Sequence, residues 1–279
     1  MGIIGQSIPV RDAAMKVTGQ FKYTADLEFP GMLHAKILFS PVPHARIKKI
    51  DTSRAEALEG VRGVVCYLNA PDTKYNSCGA EIDGHKTERV FDDTVRYVGD
   101  KVAAVAADTV KIAEQAVKLI QVEYEELPFY TDPGEALKEG AYPIHGESNI
   151  IFPVDMGAGD VEAGFKAADY IYEDTYSTPA IHHSAIETHA SIAVYDSSGK
   201  LTVYTPSQDV FGYRKNLSRI FGLPMSRVRV VNPGMGGGFG GKIDTITEPV
   251  TALLAMKTGR PVKLVYNRRE DICLLYTSD

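Results

Sequence analysis

The sequence contains no tryptophan and only three cysteines among its 279 residues. The cysteines, Cys66, Cys78 and Cys273, lie far apart and form no C-x-x-C pair. Disulfide frameworks and cysteine-ligated zinc or iron–sulfur sites need paired or clustered cysteines. The sequence therefore encodes none of these, and any iron–sulfur cluster that works with this chain must be bound by another polypeptide.

Long apolar runs and clusters of basic residues are also missing. No segment approaches the roughly 20 apolar residues of a membrane-spanning helix, and the N-terminus has no basic region followed by an apolar stretch. The formal net charge is −6, and the lysines and arginines are dispersed, whereas nucleic-acid binding needs a basic patch. We therefore expect a cytoplasmic protein that binds neither nucleic acid nor membrane.

The remaining composition is that of ordinary globular domains. Hydrophobic residues make up 44% of the chain and charged residues 24%, which suffices for two domains. Strand and helix patterns predict a first domain at residues 19–132 and the start of a second at 155–271. The segment between them, 133–154, is rich in proline, glycine and polar residues and is predicted to be a linker. Residues 1–18 form an N-terminal extension, and the ending ICLLYTSD, at 272–279, is interpreted as a non-native tail.

Local patterns predict an α+β fold, with helices packed on sheets. Asp108 is a favoured N-cap, and the helix expected after it has an apolar face that we predict to be buried. The predicted members of this face are Val110, Ala113, Val117 and Ile120. In the second domain the predicted elements are a strand at 169–179, a hairpin turning at 197–200, a helix at 210–221, a strand at 227–231 and a helix at 245–256.

Residues 234–242, with the sequence GMGGGFGGK, are the most informative segment. They lie between a predicted strand and a predicted helix. Glycine has no Cβ, so a ligand can approach the main-chain N–H groups of such a loop closely. The segment therefore predicts a loop whose backbone N–H groups bind an anion or a polar ligand.

Three interpretations of the glycine run compete. The phosphate-loop template is met by Gly236, Gly241 and Lys242, but Ile243 stands where a magnesium-binding hydroxyl is required. The dinucleotide template is met by Gly236, Gly238 and Gly241, but no acidic residue ends a second strand about 20 residues later. The third interpretation is a tight turn in which glycine serves packing alone.

The order of four motifs resembles that in the molybdopterin-binding large subunit of the xanthine dehydrogenase and aldehyde oxidase family. These motifs are YVGD at 97–100, ETH at 187–189, Gln208, and GGGFGGK at 236–242. The resemblance spans about residues 19–271. It implies an α/β hammerhead domain followed by the first, truncated part of a molybdopterin-binding domain. It also implies a molybdenum–molybdopterin cofactor, in dinucleotide form, with FAD and [2Fe–2S] clusters on partner subunits.

The resemblance assigns roles to the loop and to Gln208. Gln208 lies between a predicted strand and a predicted helix, where an amide can donate a hydrogen bond into a cleft. The family resemblance implies that it hydrogen-bonds an oxygen ligand of molybdenum and that Phe239 shapes the substrate pocket. Gly238, Gly240 and Gly241 are expected to bind the cofactor together with these two residues. No protein side chain is predicted to bind the metal directly.

Other polar residues near these motifs leave alternatives open. His182, His183, Glu187 and His189 are residue types that bind zinc or iron, but their segment looks like the entry to a strand, which places them poorly for one metal. The resemblance implies that Glu187 and His189 are architectural. Lys242 is interpreted either as a partner for an anion or as a charge at a helix start.

Two departures from the family pattern limit the functional prediction. Ile243 occupies the position where animal purine-hydroxylating relatives carry a glutamate, so N-heteroaromatic (purine-like) and aldehyde substrates both stay open. The family's general base belongs to a later segment of a longer subunit, and we expect this chain to be inactive alone. The predicted function is the cofactor-binding part of a molybdenum hydroxylase that uses oxygen from water. The alternatives are a non-catalytic assembly or partner-binding fragment and a phosphate-loop nucleotide-binding module.

Overall fold

The computed structural model describes residues 4–77, 86–150, 153, 156–179 and 181–277. Cys78 lies outside these residues. The described strands are β1 Leu33–Phe39, β2 Ala45–Asp51, β3 Val61–Cys66, β4 Thr94–Val95, β5 Lys101–Ala107, β6 Gln121–Glu126, β7 Ala190–Tyr195, β8 Leu201–Tyr204, β9 Val228–Val231 and β10 Val262–Val265. The α-helices are α1 Ala13–Val17, α2 Ser53–Glu56, α3 Val110–Val117, α4 Pro133–Ala136, α5 Val161–Ala167, α6 Val210–Phe221, α7 Glu248–Thr258 and α8 Arg268–Thr277. Short 3-10 helices occur at Thr24–Asp26 and Met225–Arg227.

The strands form two sheets. The larger has the order β3-β5-β1-β10-β7-β8-β9 and the smaller the order β4-β2-β6. In the larger sheet β1 pairs with β10 and β8 with β9 in parallel, and the other neighbours are antiparallel. The hairpin predicted at 197–200 is confirmed, because it joins the antiparallel pair β7 and β8.

Strand β5 separates two cores. All seven of its residues are buried, which explains its sequence of small and β-branched residues. Successive side chains of a strand point to opposite faces, so Ala103 and Val105 pack in a cluster with Ala116 of α3. Ala104 and Ala106 face the other way, into the cluster that contains Leu254 of α7. The alternation thus places one helix on each side of the sheet.

The larger sheet crosses the boundary predicted between the two domains. Strands β1, β3 and β5 come from residues 19–132, whereas β7, β8, β9 and β10 come from 155–271. Leu33 of β1 is aligned with Val262 of β10, and both belong to the same buried cluster. The predicted linker is not wholly irregular, because it contains the short helix α4. The two segments therefore share a sheet and a core.

The start of α3 differs from the prediction. Its N-cap is Thr109, whose side chain accepts a hydrogen bond from the Ile112 N–H at 3.2 Å. Asp108 instead forms ion pairs with Arg62 and Arg260. The one-residue shift of the helix leaves Val110 43% exposed, while Ala113 and Ala116 are fully buried. The prediction of a buried Val110 was therefore wrong.

Two predictions for the second half also need correction. Residues 169–179 alternate as a strand would, but they are exposed and pair with no described strand. A strand pattern needs a neighbouring edge to satisfy its backbone groups, and the described part of the chain supplies none there. Helix α7 begins at Glu248 rather than at 245 and is capped by Gly259, which has a left-handed φ of 66°. The helix at Val210–Phe221 is confirmed.

The described residues contain no helix that is both long enough and apolar enough to cross a membrane. Cys66 is buried and Cys273 is partly buried, and neither is part of a disulfide.

Replacement of Leu264 by alanine tests the shared core. Leu264 is 1% exposed in the centre of the larger sheet, and removing a buried leucine side chain costs about 2–5 kcal/mol of unfolding free energy. Urea unfolding of Leu264→Ala should show this loss. The control Leu68→Ala removes a side chain that is 68% exposed and should change stability by less than about 0.5 kcal/mol. Equal effects of the two changes would contradict the assignment of the core.

Candidate functional site

The motif residues converge at one edge of the larger sheet. The carboxyl ends of the parallel strands β8 and β9 meet there, and they lead to Gln208 and to the glycine loop, residues 236–242. Strand β7 runs antiparallel to β8 and to β10, so its amino end, with the 187–189 segment before it, lies at the same edge. The carboxyl end of β10 leads there into α8. Strand direction alone thus brings four distant segments together.

Gln208 is bonded to the glycine loop through both its side chain and its backbone. Its Oε1 accepts hydrogen bonds from the N–H groups of Gly240 at 3.0 Å and Lys242 at 3.2 Å. Its own N–H donates to the Lys242 carbonyl at 2.8 Å. Because the amide oxygen faces the loop, the amide nitrogen faces away from it and remains available as a donor.

The loop approaches Gln208 so closely that glycine is required. A Cβ on Gly238 would lie 2.5 Å from Gln208 Oε1, which is too short for a contact. The Gly240 N–H, expected to reach the cofactor, donates to Gln208, and the Gly241 N–H donates to the Gly238 carbonyl at 2.9 Å. Among the described residues no acceptor faces the N–H groups of Gly237, Gly238 and Phe239. These three successive donors are those a ligand could use.

Phe239 projects from the loop in a strained conformation. Its φ is +56°, a left-handed value that costs energy for a bulky residue. The side chain is 74% exposed, so it is not a hydrophobic anchor. Its ring lies over Gly237, where an added Cβ would be 3.0 Å from Phe239 Cε2. An exposed aromatic ring held in this way is suited to contact a ligand.

Lys242 and Glu187 form a buried ion pair that neither interpretation of Lys242 anticipated. Lys242 Nζ lies 2.9 Å from Glu187 Oε2, and the lysine is 1% exposed. The same oxygen accepts the Gly236 N–H at 2.6 Å. Glu187 therefore links Gly236, at the start of the loop, to Lys242, at its end. The anion that the Lys242 ammonium contacts is thus a carboxylate of this chain, and Lys242 is not a helix-start charge, because α7 starts only at Glu248.

His189 is hydrogen-bonded to the backbone of the glycine loop. Its Nδ1 lies 2.7 Å from Asp271 Oδ1, and its Nε2 lies 2.8 Å from the Gly241 carbonyl oxygen. Burial opposes ionisation of Asp271, but the hydrogen bonds from His189 and the charge of Arg268 outweigh it and lower the pKa of this carboxyl. Asp271 is not recognisable as a site residue in the sequence, because it is distant from His189 in the chain and no local pattern marks it.

Tyr213 is a second residue that sequence reasoning missed. It lies on α6, and its hydroxyl is 3.0 Å from the Lys242 carbonyl oxygen. Burial raises its pKa well above the usual range, so the hydroxyl stays protonated and can donate. A tyrosine within an amphipathic helix usually serves the core, and no sequence signal distinguishes this one.

The histidines do not assemble a metal site. His182 Nδ1 accepts the N–H of Ser184 at 2.8 Å, and His183 lies beside Gly241. Within the described ranges no group of three or more histidine, cysteine, aspartate or glutamate side chains could hold a metal ion. Glu187 and His189 instead bond to the loop, as the architectural interpretation expects.

Comparison with known proteins identifies the family. Residues 144–277 match the family model of the molybdopterin cofactor-binding domain. Residues 18–128 match that of the a/b hammerhead domain of aldehyde oxidase and xanthine dehydrogenase. The chain belongs to the family of molybdopterin-binding large subunits of xanthine dehydrogenase and aldehyde oxidase type. The predicted α+β fold, with a hammerhead domain followed by part of a molybdopterin-binding domain, is confirmed.

Similar proteins include two bacterial subunits. The chain is 44% identical to a probable xanthine dehydrogenase subunit of Bacillus subtilis (strain 168), over 97% of this chain and 36% of that protein. It is 40% identical to the nicotinate dehydrogenase large molybdopterin subunit of Eubacterium barkeri, over 96% of this chain and 62% of that protein. The chain thus spans 36% of the length of the first relative and 62% of the length of the second.

A solved structure shares the fold. Quinoline 2-oxidoreductase from Pseudomonas putida 86 superposes with a TM-score of 0.86 at 31% identity, over 96% of this chain and 35% of that one.

The loop fits a molybdopterin cofactor, because three N–H donors without an acceptor in the described part of the chain lie beside glycines and an exposed aromatic ring. Molybdenum–molybdopterin as the cofactor class is confirmed by the family match.

Replacement of Lys242 by methionine tests the ion pair that closes the loop. Removing one partner of a buried pair leaves the other charge uncompensated and costs about 3–5 kcal/mol of unfolding free energy. The double change Lys242→Met with Glu187→Gln should recover part of this loss. Urea unfolding measures both.

The exposed pair Lys138–Glu135 supplies the matched control. Its side chains are 65% and 57% exposed, and such pairs contribute at most about 1 kcal/mol. If Lys138→Met and Lys242→Met destabilise the protein equally, Lys242 is not part of a buried pair.

Proposed function

We propose that this chain contributes part of the cofactor and substrate site of a molybdenum hydroxylase. The complete enzyme would hydroxylate an electron-poor carbon of an N-heteroaromatic compound or an aldehyde, with oxygen from water. The observation that carries this proposal is the row of N–H groups from Gly237 to Phe239, which no described acceptor faces, beside the outward-facing amide of Gln208. The names of the similar nicotinate dehydrogenase and quinoline 2-oxidoreductase support the heteroaromatic class.

Each residue of the loop would have a distinct part in holding the cofactor and substrate. When bound, the molybdenum cofactor supplies a two-electron acceptor for the substrate carbon. The N–H groups of Gly238 and Phe239 would bind polar atoms of the cofactor, and the Gln208 amide nitrogen would donate to one of its oxygen atoms. Gly240 and Gly241 would contribute by conformation, since their N–H groups already have acceptors.

Phe239 and Ile243 would shape the substrate side of the site. The exposed ring of Phe239 offers a flat apolar surface on which an aromatic substrate can stack. The side chain of Ile243 has no hydrogen-bonding group, so it would not select for a purine over a less polar ring. We therefore favour quinoline-like or pyridine-like compounds and aldehydes over xanthine as substrates.

Partner subunits would complete the electron path. The two described cysteines, Cys66 and Cys273, lie far apart in the chain, whereas an iron–sulfur cluster is held by several clustered cysteines. We propose separate iron–sulfur and FAD subunits, because the bacterial relatives are themselves named as subunits. We also propose that the cofactor is a pterin dinucleotide and that the complex is cytoplasmic.

A partner-binding role without catalysis is the second candidate. Residues 169–179 include exposed apolar side chains, among them Tyr170 at 95% and Tyr172 at 84%. Such a surface is typical of a contact with another polypeptide segment. The phosphate-loop alternative loses its main support, because the ammonium of Lys242 is buried against Glu187.

Substitution of Gln208 in the protein at its natural length tests the hydroxylase proposal. Elemental analysis of the purified unsubstituted complex should find molybdenum, and its absence would overturn the proposal. Gln208→Ala should retain molybdenum while kcat for a heteroaromatic substrate falls about 100-fold, the typical effect of losing one positioned donor. Gln121→Ala, an exposed change on β6, should leave kcat unaltered. Full activity of Gln208→Ala would remove Gln208 from the site.

A further inference from the structure

One peptide group of the glycine loop connects His189 to Gln208. The carbonyl oxygen of Gly241 lies 2.8 Å from His189 Nε2. The N–H of Lys242 belongs to the same peptide group and donates to Gln208 Oε1 at 3.2 Å. A peptide group is planar and rigid, so the position of the imidazole constrains the direction of the hydrogen bond that Gln208 receives.

Both ring nitrogens of His189 face oxygen atoms that can only accept. Nε2 faces a backbone carbonyl, and Nδ1 faces Asp271 Oδ1 at 2.7 Å. An ionised carboxylate and a carbonyl have no proton to donate, while a neutral imidazole has only one N–H. A neutral His189 would place a nitrogen lone pair against an oxygen lone pair at hydrogen-bonding distance. Only the imidazolium form satisfies both contacts.

We propose that His189 is a buried imidazolium that acts through the Gly241–Lys242 peptide group to orient and polarise the side-chain amide of Gln208. The donors all point the same way, from imidazolium to carbonyl and from peptide N–H to amide oxygen. Hydrogen bonds in such a series strengthen one another. The amide oxygen of Gln208 is thereby held against the loop. The NH2 group of the same side chain becomes a stronger hydrogen-bond donor, and its direction is fixed. His189 is a positioning residue, because it acts on the site through the loop backbone and Gln208.

The charges around His189 support a cation at this place. Asp271 compensates it directly, and Arg268 holds the other carboxylate oxygen at 3.1 Å. The positive charge of Lys242 is matched by Glu187. Further titratable neighbours among the described residues include Glu248, whose carboxyl interacts electrostatically with His189, and Tyr266, whose ring centroid lies 6.5 Å from that of His189. His182 Nε2 lies 3.3 Å from the backbone carbonyl of Asp271. A buried cation with a hydrogen-bonded carboxylate is stable, whereas an unpaired one is not.

Nuclear magnetic resonance of the chain, with labelled histidine and glutamine side chains, tests the protonation and the coupling without any cofactor. At pH 7.5 both ring nitrogens of His189 should carry a proton. In Asp271→Asn the amide oxygen can still accept from Nδ1, but the compensating charge is lost. His189 should then lose its second proton, and the Gln208 side-chain NH2 resonances should shift. A neutral His189 in the unsubstituted chain, or unchanged Gln208 resonances in Asp271→Asn, would overturn the proposal.

His34→Gln is the matched control. It removes an imidazole on β1, a strand separated from β8 and the glycine loop by β10 and β7, and should leave the Gln208 resonances in place. If His189→Gln or Asp271→Asn fails to fold, the protonation state of His189 in the unsubstituted chain still decides the first half of the proposal. Gln208→Ala removes the amide oxygen that accepts the last hydrogen bond of the series. This change should then alter the His189 ring resonances.

The effect on catalysis rests on the proposed function and is measured separately. In the molybdenum-containing protein at its natural length, His189→Gln should lower kcat roughly 10-fold, the scale of a small misplacement of a reacting group. KM and molybdenum content should change little. An enzyme without molybdenum would overturn the proposed function but leave the resonance result intact. Unchanged kcat in a molybdenum-loaded His189→Gln enzyme would overturn the positioning role.

Discussion

The glycine loop depends on polar side chains that lie outside it. A run of glycines loses more conformational entropy on ordering than any other sequence, and this loop buries no apolar side chain of its own that could offset the cost. Its shape is instead fixed where Glu187, Gln208 and His189 bond to its backbone. Two of these side chains are themselves held by ion pairs, Glu187 by Lys242 and His189 by Asp271. The loop N–H groups that no described acceptor faces are held in one arrangement, because the other N–H groups of the loop are hydrogen-bonded.

The sheet makes this convergence possible. Parallel pairing of β8 with β9 and antiparallel pairing of β7 with both of its neighbours bring three strand ends and one strand start to the same edge. The buried strand β5 lies farther along the same sheet and carries a helix on each face. The polar site is thus built at the rim of an apolar framework, where backbone groups are free of ladder hydrogen bonds and can bind side chains.

Sequence patterns predicted the elements well where local chemistry decides them. The hairpin between β7 and β8 and the helix at Val210–Phe221 have clear alternation, turn residues and caps. The motif order also led to the family and to its cofactor class, while the roles of Gln208 and Phe239 stay predictions. Local patterns failed where a partner distant in the sequence determines the local structure. Lys242 has a buried partner 55 residues earlier in the chain, and residues 169–179 have a strand pattern without a described strand beside them.

The pairing of β1 with β10 has a consequence for how the chain folds during synthesis. Strand β1 leaves the ribosome well before β10, to which Leu33 and Ala35 are aligned and which comes near the end of the described residues. The central pair of the sheet can therefore form only after almost the whole described chain has been made. Until then one edge of β1 stays open, with its N–H and C=O groups unpaired. Contacts of such long range form slowly, and open strand edges bind other chains.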